Sequence, residues 1–290
     1  MADVSTASTS PLTTKEIVLE EIVEVIGEHA LDTVTPDSAT TIPPPIPGGA
    51  SPAPEDDFVP CCITQTPIPR GLKNKNLSSI MVSLNHECPR WVPGSVIKWV
   101  VVKEGFKTQE DADYAAQHLH MACEKWNEMD VGVRFEWVRS PAEATFALWH
   151  GGSQGGCLAS AFFPNPNDLS NMLVYSAAFS MPRWKANLWK VFTHELGHVL
   201  GLRHEFALDP VTVTDPETGE VTTTVREASM RAVQLGPRNE KSVMSYSNVP
   251  PEIQPSDVES TRAFYALRPD VDGNMPKVGG LTEIQDYEPM

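Results

Sequence analysis

The chain has 290 residues, with 22 Lys and Arg against 38 Asp and Glu, a formal net charge of −16. This acidic balance argues against a nucleic-acid partner, because the phosphate backbone would be repelled. No apolar run reaches the length of about 18 residues that a membrane span needs, and no signal peptide is visible at the start of the chain. Hydrophobic residues make up 41% of the chain, enough for a sizeable core.

The first 75 residues differ in composition from the rest, because they hold 11 of the 26 prolines. Proline removes backbone donors and interrupts helices, so residues 1–75 are expected to form a flexible tail. One short acidic amphipathic helix is predicted within it, over residues 13–31, where Thr13 and Glu16 have capping-box spacing. The alternatives to a marginal helix in a flexible tail are a pro-segment and a docking helix.

Residues 76–268 have the pattern of one globular domain, and residues 269–290 are expected to be a C-terminal tail. Strands are predicted over residues 96–102, 131–138, 144–150, 158–163 and 172–179. Helices are predicted over residues 108–129, 187–200 and 256–267, the last capped by Ser256, and a hairpin over residues 211–224. This order indicates an α+β fold, with a twisted mixed sheet of about five strands and a functional site on the middle helix.

The middle helix carries the pattern His-Glu-x-x-His-x-x-Gly-x-x-His. His194 and His198 are four residues apart, so their imidazoles lie on one face of the helix and can reach one ion. Gly201 permits the positive φ that ends the helix, and the chain then turns back to deliver His204. Three neutral imidazoles are typical of a catalytic zinc site with one open coordination position.

Other residues support this interpretation. Glu195 follows the first predicted ligand and lies beside the metal rather than on it. The alternative, a buried amphipathic helix with structural histidines, leaves His204 and the glycines without an explanation. Met244, in Ser-Val-Met-Ser-Tyr, could be core filler, but after the extended zinc motif it matches a methionine turn beneath the histidines.

On these motifs the chain resembles the metzincin zinc metalloendopeptidases. Glu205 after the third histidine, the Ser-x-Met-x-Tyr motif and RWVPGSVI at residues 90–97 are astacin-like. The stretch GCLASAFFP at residues 156–164 and Ser256-Asp257 are similar to matrixin segments. The resemblance covers residues 88–268 and implies a metzincin-type zincin catalytic domain.

The resemblance also implies a function. One zinc ion held by His194, His198 and His204 activates a bound water, Glu195 acts as the general base, and the substrate is a polypeptide. Tyr246 would ligate zinc at rest and donate to the oxyanion, unless it is an ordinary core tyrosine. The strand near residues 158–161 is expected to bind extended substrate by β-augmentation. The family is mostly secreted, which conflicts with the missing signal peptide, so the location stays open.

Three alternatives remain. The domain could be a zinc-binding interaction module with little turnover, although the intact Glu195 argues against it. The acidic helix of the tail could bind a partner. Cys61 or Cys62 could ligate zinc in a latent form, although the sequence around them does not match a cysteine switch. The five cysteines match no dense disulfide framework, so reduced and bridged forms are both open.

Overall fold

The computed structural model describes residues 13–36, 61–65, 87–207, 209–214, 218–225, 233, 238–245, 252–278 and 282–290. The helices are α1 (Thr14–Ile26), α2 (Gln109–Glu128), α3 (Ser176–Ser180), α4 (Pro182–Ala186), α5 (Leu188–Val199) and α6 (Pro255–Ala266). The strands are β1 (Thr33–Val34), β2 (Cys61–Gln65), β3 (Glu87–Trp91), β4 (Val96–Val102), β5 (Arg134–Trp137), β6 (Phe146–His150), β7 (Cys157–Phe162), β8 (Ser170–Val174), β9 (Pro210–Thr214), β10 (Val221–Val225), β11 (Lys277–Val278) and β12 (Thr282–Tyr287). Among the described residues, no helix has both the length and the apolar character that crossing a membrane requires.

The main sheet has seven strands in the order β1-β4-β6-β8-β7-β2, with β5 also pairing with β4. The five strands that the sequence predicts, β4 to β8, form its centre. Four of them run parallel, and β7 runs antiparallel to its neighbour β8. The predicted α+β class with a mixed sheet is therefore confirmed.

The central strands are almost continuously apolar because helices cover the sheet. In β4, five of the seven side chains are buried, and all six of β7 are buried, as expected for strands inside a layered domain. Helix α2 buries one largely apolar face, including Leu119 and Trp126, in the core that it shares with the sheet and α5. The predicted helix and four of the five strands therefore form where the apolar pattern placed them. The strand expected over residues 172–179 is wrong in its second half, because β8 ends at Val174 and residues 176–179 belong to α3.

Three local expectations have different outcomes. The hairpin is confirmed, since β9 and β10 pair antiparallel from Pro210↔Val225 to Thr214↔Val221. The last helix is confirmed, but its predicted cap Ser256 is wrong. Gln254 is the N-cap and shares a capping box with Asp257, because the proline at 255 occupies the first helical position.

The two ends of the chain contribute strands. Near the N-terminus, Thr13 and Glu16 form the predicted capping box of α1, but the helix ends at Ile26 instead of residue 31. Strand β1 then pairs antiparallel with β4. The segment 269–290, expected as a tail, contains β11 and β12, and β12 runs parallel to β3.

The contact between β3 and β12 is fixed by a buried arginine. Arg90 is 1% exposed and pairs with both carboxylate oxygens of Asp286, at 2.7 and 2.9 Å. It also donates to the carbonyl of Phe264 in α6 at 2.6 Å. This one side chain therefore ties the C-terminal strand and the last helix to the start of the domain.

Candidate metal centre

Helix α5 is held near its C-terminal end by donors from other elements. Trp126 of α2 donates its indole N–H to the carbonyl of Thr193 at 2.9 Å. Trp91 of β3 donates to Val199 at 2.7 Å, and the Tyr265 hydroxyl donates to Leu200 at 3.1 Å. The last carbonyls of a helix have no partner within it, so the donors to Val199 and Leu200 fix where the helix ends, whereas Trp126 binds its middle.

The N-terminal end of α5 is capped by a histidine from another helix. The predicted cap, Asn187, is the N-cap residue, but the capping acceptor is Nδ1 of His118 in α2, which accepts the backbone N–H of Trp189 at 3.0 Å. Burial lowers the pKa of His118 to about 4, so its ring is neutral and able to accept this bond at neutral pH.

The chain reverses after α5 at Gly201, whose φ of +91° is in the left-handed region. A Cβ at this position would also collide with the carbonyl oxygen of Pro89. The N–H of Leu202 closes the turn on the carbonyl of Gly197 at 2.9 Å. Glycine is therefore required at 201 for both its conformation and its space, as the motif predicts.

The turn brings the three predicted ligands together. One ligand atom each of His194, His198 and His204 lies within 4.8 Å of the others, and all three side chains are buried. The Nε2 atoms of His198 and His204 are 3.2 Å apart. Within the described parts of the chain, these histidines are the group of three that could hold a metal ion.

Backbone carbonyls orient two of the rings. His194 Nδ1 donates to Val243 O at 2.7 Å, and His198 Nδ1 donates to Leu202 O at 2.8 Å. Because each Nδ1 carries the proton, each Nε2 keeps its lone pair for a metal.

Burial keeps these rings neutral. Burial and the neighbouring His204 lower the pKa of His194 to about 3, and the same causes lower the pKa of His198 well below its usual value. These two neutral, oriented imidazoles and the buried ring of His204 beside them supply the three nitrogen donors that a catalytic zinc site uses, so the residues present fit this ion.

Met244 lies directly against the helix that carries the ligands. It is 3% exposed, and a Cβ added to Gly197 would overlap its sulfur atom. Gly197 therefore lets the turn at residues 240–245 approach α5 closely. The sequence pattern predicts Met244 below the histidines, whereas the role of Gly197 becomes visible only in the tertiary structure.

Asp257 of α6 holds this turn in place. Its carboxylate accepts the Ser242 hydroxyl at 2.6 Å and the backbone N–H of Val243 at 2.8 Å. Since Val243 also accepts from His194, Asp257 acts on the metal centre through one residue. In the sequence, Ser256-Asp257 is visible only as a matrixin-like pair. The acidic third position of a helix is a capping signal, but nothing local indicates that it also binds a distant turn.

Glu205 connects the third ligand to the same turn. Its side chain accepts the backbone N–H of Asn239 at 2.6 Å, and its own N–H donates to Met244 O at 3.0 Å. A cavity of about 150 Å³ beside His204 is also lined by Cys88 and Phe163. The Phe163 ring, just past β7, lies edge-on to His198 with centroids 5.7 Å apart.

The two predicted catalytic residues have different outcomes. Glu195 lies on α5 between the first two ligands and is 1% exposed, so its carboxylate belongs to the buried centre. Tyr246 lies outside the described residues, and its role stays a prediction.

A comparison with protein families agrees with this site. Residues 73–256 match a family model described as Reprolysin_5: Metallo-peptidase family M12. The search of curated proteins found no match. Among solved structures, the chain is similar to high choriolytic enzyme 1, a hatching enzyme zinc-protease from Oryzias latipes (medaka fish). That similarity has 14% identity and a TM-score of 0.39, over 61% of this chain and 94% of that chain.

Proposed function

We propose that this chain, which belongs to metallo-peptidase family M12, is a zinc-dependent endopeptidase in which Glu195 is the general base. The observation that carries the proposal is the convergence of three buried imidazoles, one ligand atom from each, within 4.8 Å. His194, His198 and His204 would hold one zinc ion. When bound there, zinc supplies a Lewis acid that lowers the pKa of water towards 7 and polarises a carbonyl.

Glu195 supplies the proton transfer. It follows His194 on the same rigid helix, so its carboxylate is held beside the metal centre in a site largely closed to solvent. A positioned carboxylate takes the proton of the attacking water and returns it to the leaving amine, which contributes about 10²–10⁴-fold to the rate.

The substrate is an extended polypeptide. Strand β7 ends at Phe162, and the ring of the next residue, Phe163, lies against His198. A chain that adds to this sheet edge is therefore delivered to the metal centre by main-chain hydrogen bonds. Tyr246, directly after the described turn, is proposed as a donor to the developing oxyanion.

The test combines zinc content with cleavage of casein by the full chain, with and without a dithiol. We expect one zinc per chain, and cleavage that falls at least 100-fold in Glu195→Gln while the zinc content is unchanged. Glu128→Gln, in an exposed side chain of α2, is the matched control and keeps full activity. Tyr246→Phe is expected to lower kcat by about 10²–10³ with zinc retained.

Two results would contradict the proposal. If a folded chain supplied with zinc binds no metal, the proposed metal centre is wrong. If zinc is bound but casein is not cleaved, either with dithiol or after substitutions that detach β2 from β7, the chain is a zinc-binding interaction module and not an enzyme.

A further inference from the structure

The outer edge of β7 is already occupied by the protein's own chain. Strand β2 pairs in parallel with β7, from Cys61↔Cys157 to Gln65↔Phe162. On its other side β7 pairs with β8. The edge at which an extended substrate would add is therefore covered by residues 61–65.

This strand leads directly to the metal centre. Its last residue, Gln65, is in register with Phe162, and the ring of Phe163 then contacts the ring of His198. A substrate strand placed on β7 would need the same position, so β2 and substrate exclude each other.

The strand comes from outside the matched family region, which begins at residue 73. The same N-terminal part of the chain also binds the opposite edge of the sheet, where β1 pairs with β4. Lys15 of α1 donates to the carbonyl of Ala144 at 2.9 Å. The N-terminal part is thus docked on both edges of the catalytic domain.

A covalent bond is available at the same place. Cys157, the first residue of β7, is disulfide-bonded, whereas Cys88 and Cys123 are free thiols. The remaining two cysteines of the chain, Cys61 and Cys62, both belong to β2.

We propose that β2 is an autoinhibitory strand that occupies the substrate position on β7, and that a disulfide from Cys157 fixes it there. The inference rests on the proposed peptidase function. A strand tethered to the domain competes at a high effective concentration, of millimolar order, so free substrate displaces it poorly. Reduction weakens this competition, because it removes the tether closest to the paired residues.

The activating step is thiol–disulfide exchange with a dithiol. One thiolate of the dithiol attacks the disulfide and forms a mixed disulfide, and its second thiol then resolves it. The dithiol is oxidised to its cyclic disulfide, and the two electrons and two protons that it loses leave Cys157 and its partner as thiols.

The experiment uses the full chain loaded with zinc and casein as substrate. The first variant, Cys157→Ser, removes the tether. The second, Ile63→Pro with Thr64→Pro, removes two successive backbone N–H groups of β2. Because successive amides of a strand point to opposite edges, one of the two faces β7. Cys123→Ala, which leaves the disulfide intact, is the matched control.

We expect low activity for the oxidised wild type and the control, and at least a tenfold gain on adding dithiol or in Cys157→Ser. The proline pair combined with Cys157→Ser gives the largest gain. Adding Glu195→Gln to this combined variant abolishes the cleavage. Hydrogen exchange of the backbone amides of residues 159–162 is the second readout. Their protection falls at least tenfold in the reduced wild type and in the variants that detach β2.

The experiment separates an error in the inhibitory strand from an error in the peptidase function. If the oxidised wild type cleaves casein as fast as the combined variant, the inhibitory strand is wrong and the peptidase stands. The same conclusion follows if the protection of β7 is equal in all forms. If folded, zinc-loaded forms all fail to cleave while the protection of β7 still changes, the peptidase function is wrong and the inhibition falls with it.

Discussion

His194 donates its Nδ1 proton to the carbonyl of Val243 at 2.7 Å, which joins the first metal ligand to the turn that contains Met244. The backbone N–H of the same Val243 donates to Asp257 at 2.8 Å. One peptide segment therefore couples the position of α6 to the metal centre.

Asp257→Asn is expected to weaken zinc binding by about 10–100-fold, the usual effect of removing a group that orients a metal ligand. The carboxylate accepts from Ser242, Val243 and Gln254, and an amide NH₂ would face at least one of these donors. Chelator competition measures the zinc affinity. Glu259→Gln, on the exposed face of the same helix, is the control, and equal affinities for both variants would contradict the role.

Gly197→Ala is expected to destabilise the protein by about 1–3 kcal/mol, because the new methyl group overlaps the sulfur of Met244. Denaturant unfolding of the zinc-free chain measures the free energy. Adding Met244→Ala to Gly197→Ala makes room for the methyl group, so the double variant should lose less than the sum of the two single losses. Strict additivity would show that the two residues do not clash.

Stability is expected to fall below neutral pH because of His118. Its pKa is lowered from 6.5 to about 4, so the unfolded chain binds a proton between these values that the folded chain does not. The stabilisation is therefore complete above pH 6.5 and is lost as the pH falls through 6.5 towards 4. The difference corresponds to about 3 kcal/mol.

His118→Gln tests this pH dependence by unfolding at pH 7 and pH 4.5. The glutamine oxygen can still accept a hydrogen bond but does not titrate, so the variant loses less stability between the two pH values than the wild type. His29→Gln, in an exposed side chain, should behave as the wild type. If His118→Gln has the same pH slope as the wild type, another group accounts for the loss.

Arg90→Met is expected to cost about 3–5 kcal/mol of stability, since it leaves Asp286 without its partner in a partly buried position. The loss should release β12 from β3, which limited proteolysis near the C-terminus detects. Arg134→Met removes an exposed cation paired with Glu136 and should change stability by less than about 1 kcal/mol. A resistant C-terminus in Arg90→Met would show that strand pairing alone holds β12.

Elements with local causes can be predicted from the residue types alone. The spacing of His194 and His198, the positive φ required at Gly201 and the apolar runs of the central strands all depend on neighbours a few residues apart. The residue types therefore predict the helix, the turn and the metal ligands before any packing is known. The hairpin and the capping box of α1 follow for the same reason.

Contacts between residues far apart in the chain become visible only once the domain is folded. His118 capping α5, Asp257 holding the turn of Val243, and Arg90 pairing with Asp286 join separate elements. The local sequence pattern does not predict which distant groups bind a helix end or pair with a buried charge. The same holds for β2, because a short strand has no preferred sheet edge until the domain presents β7 to it.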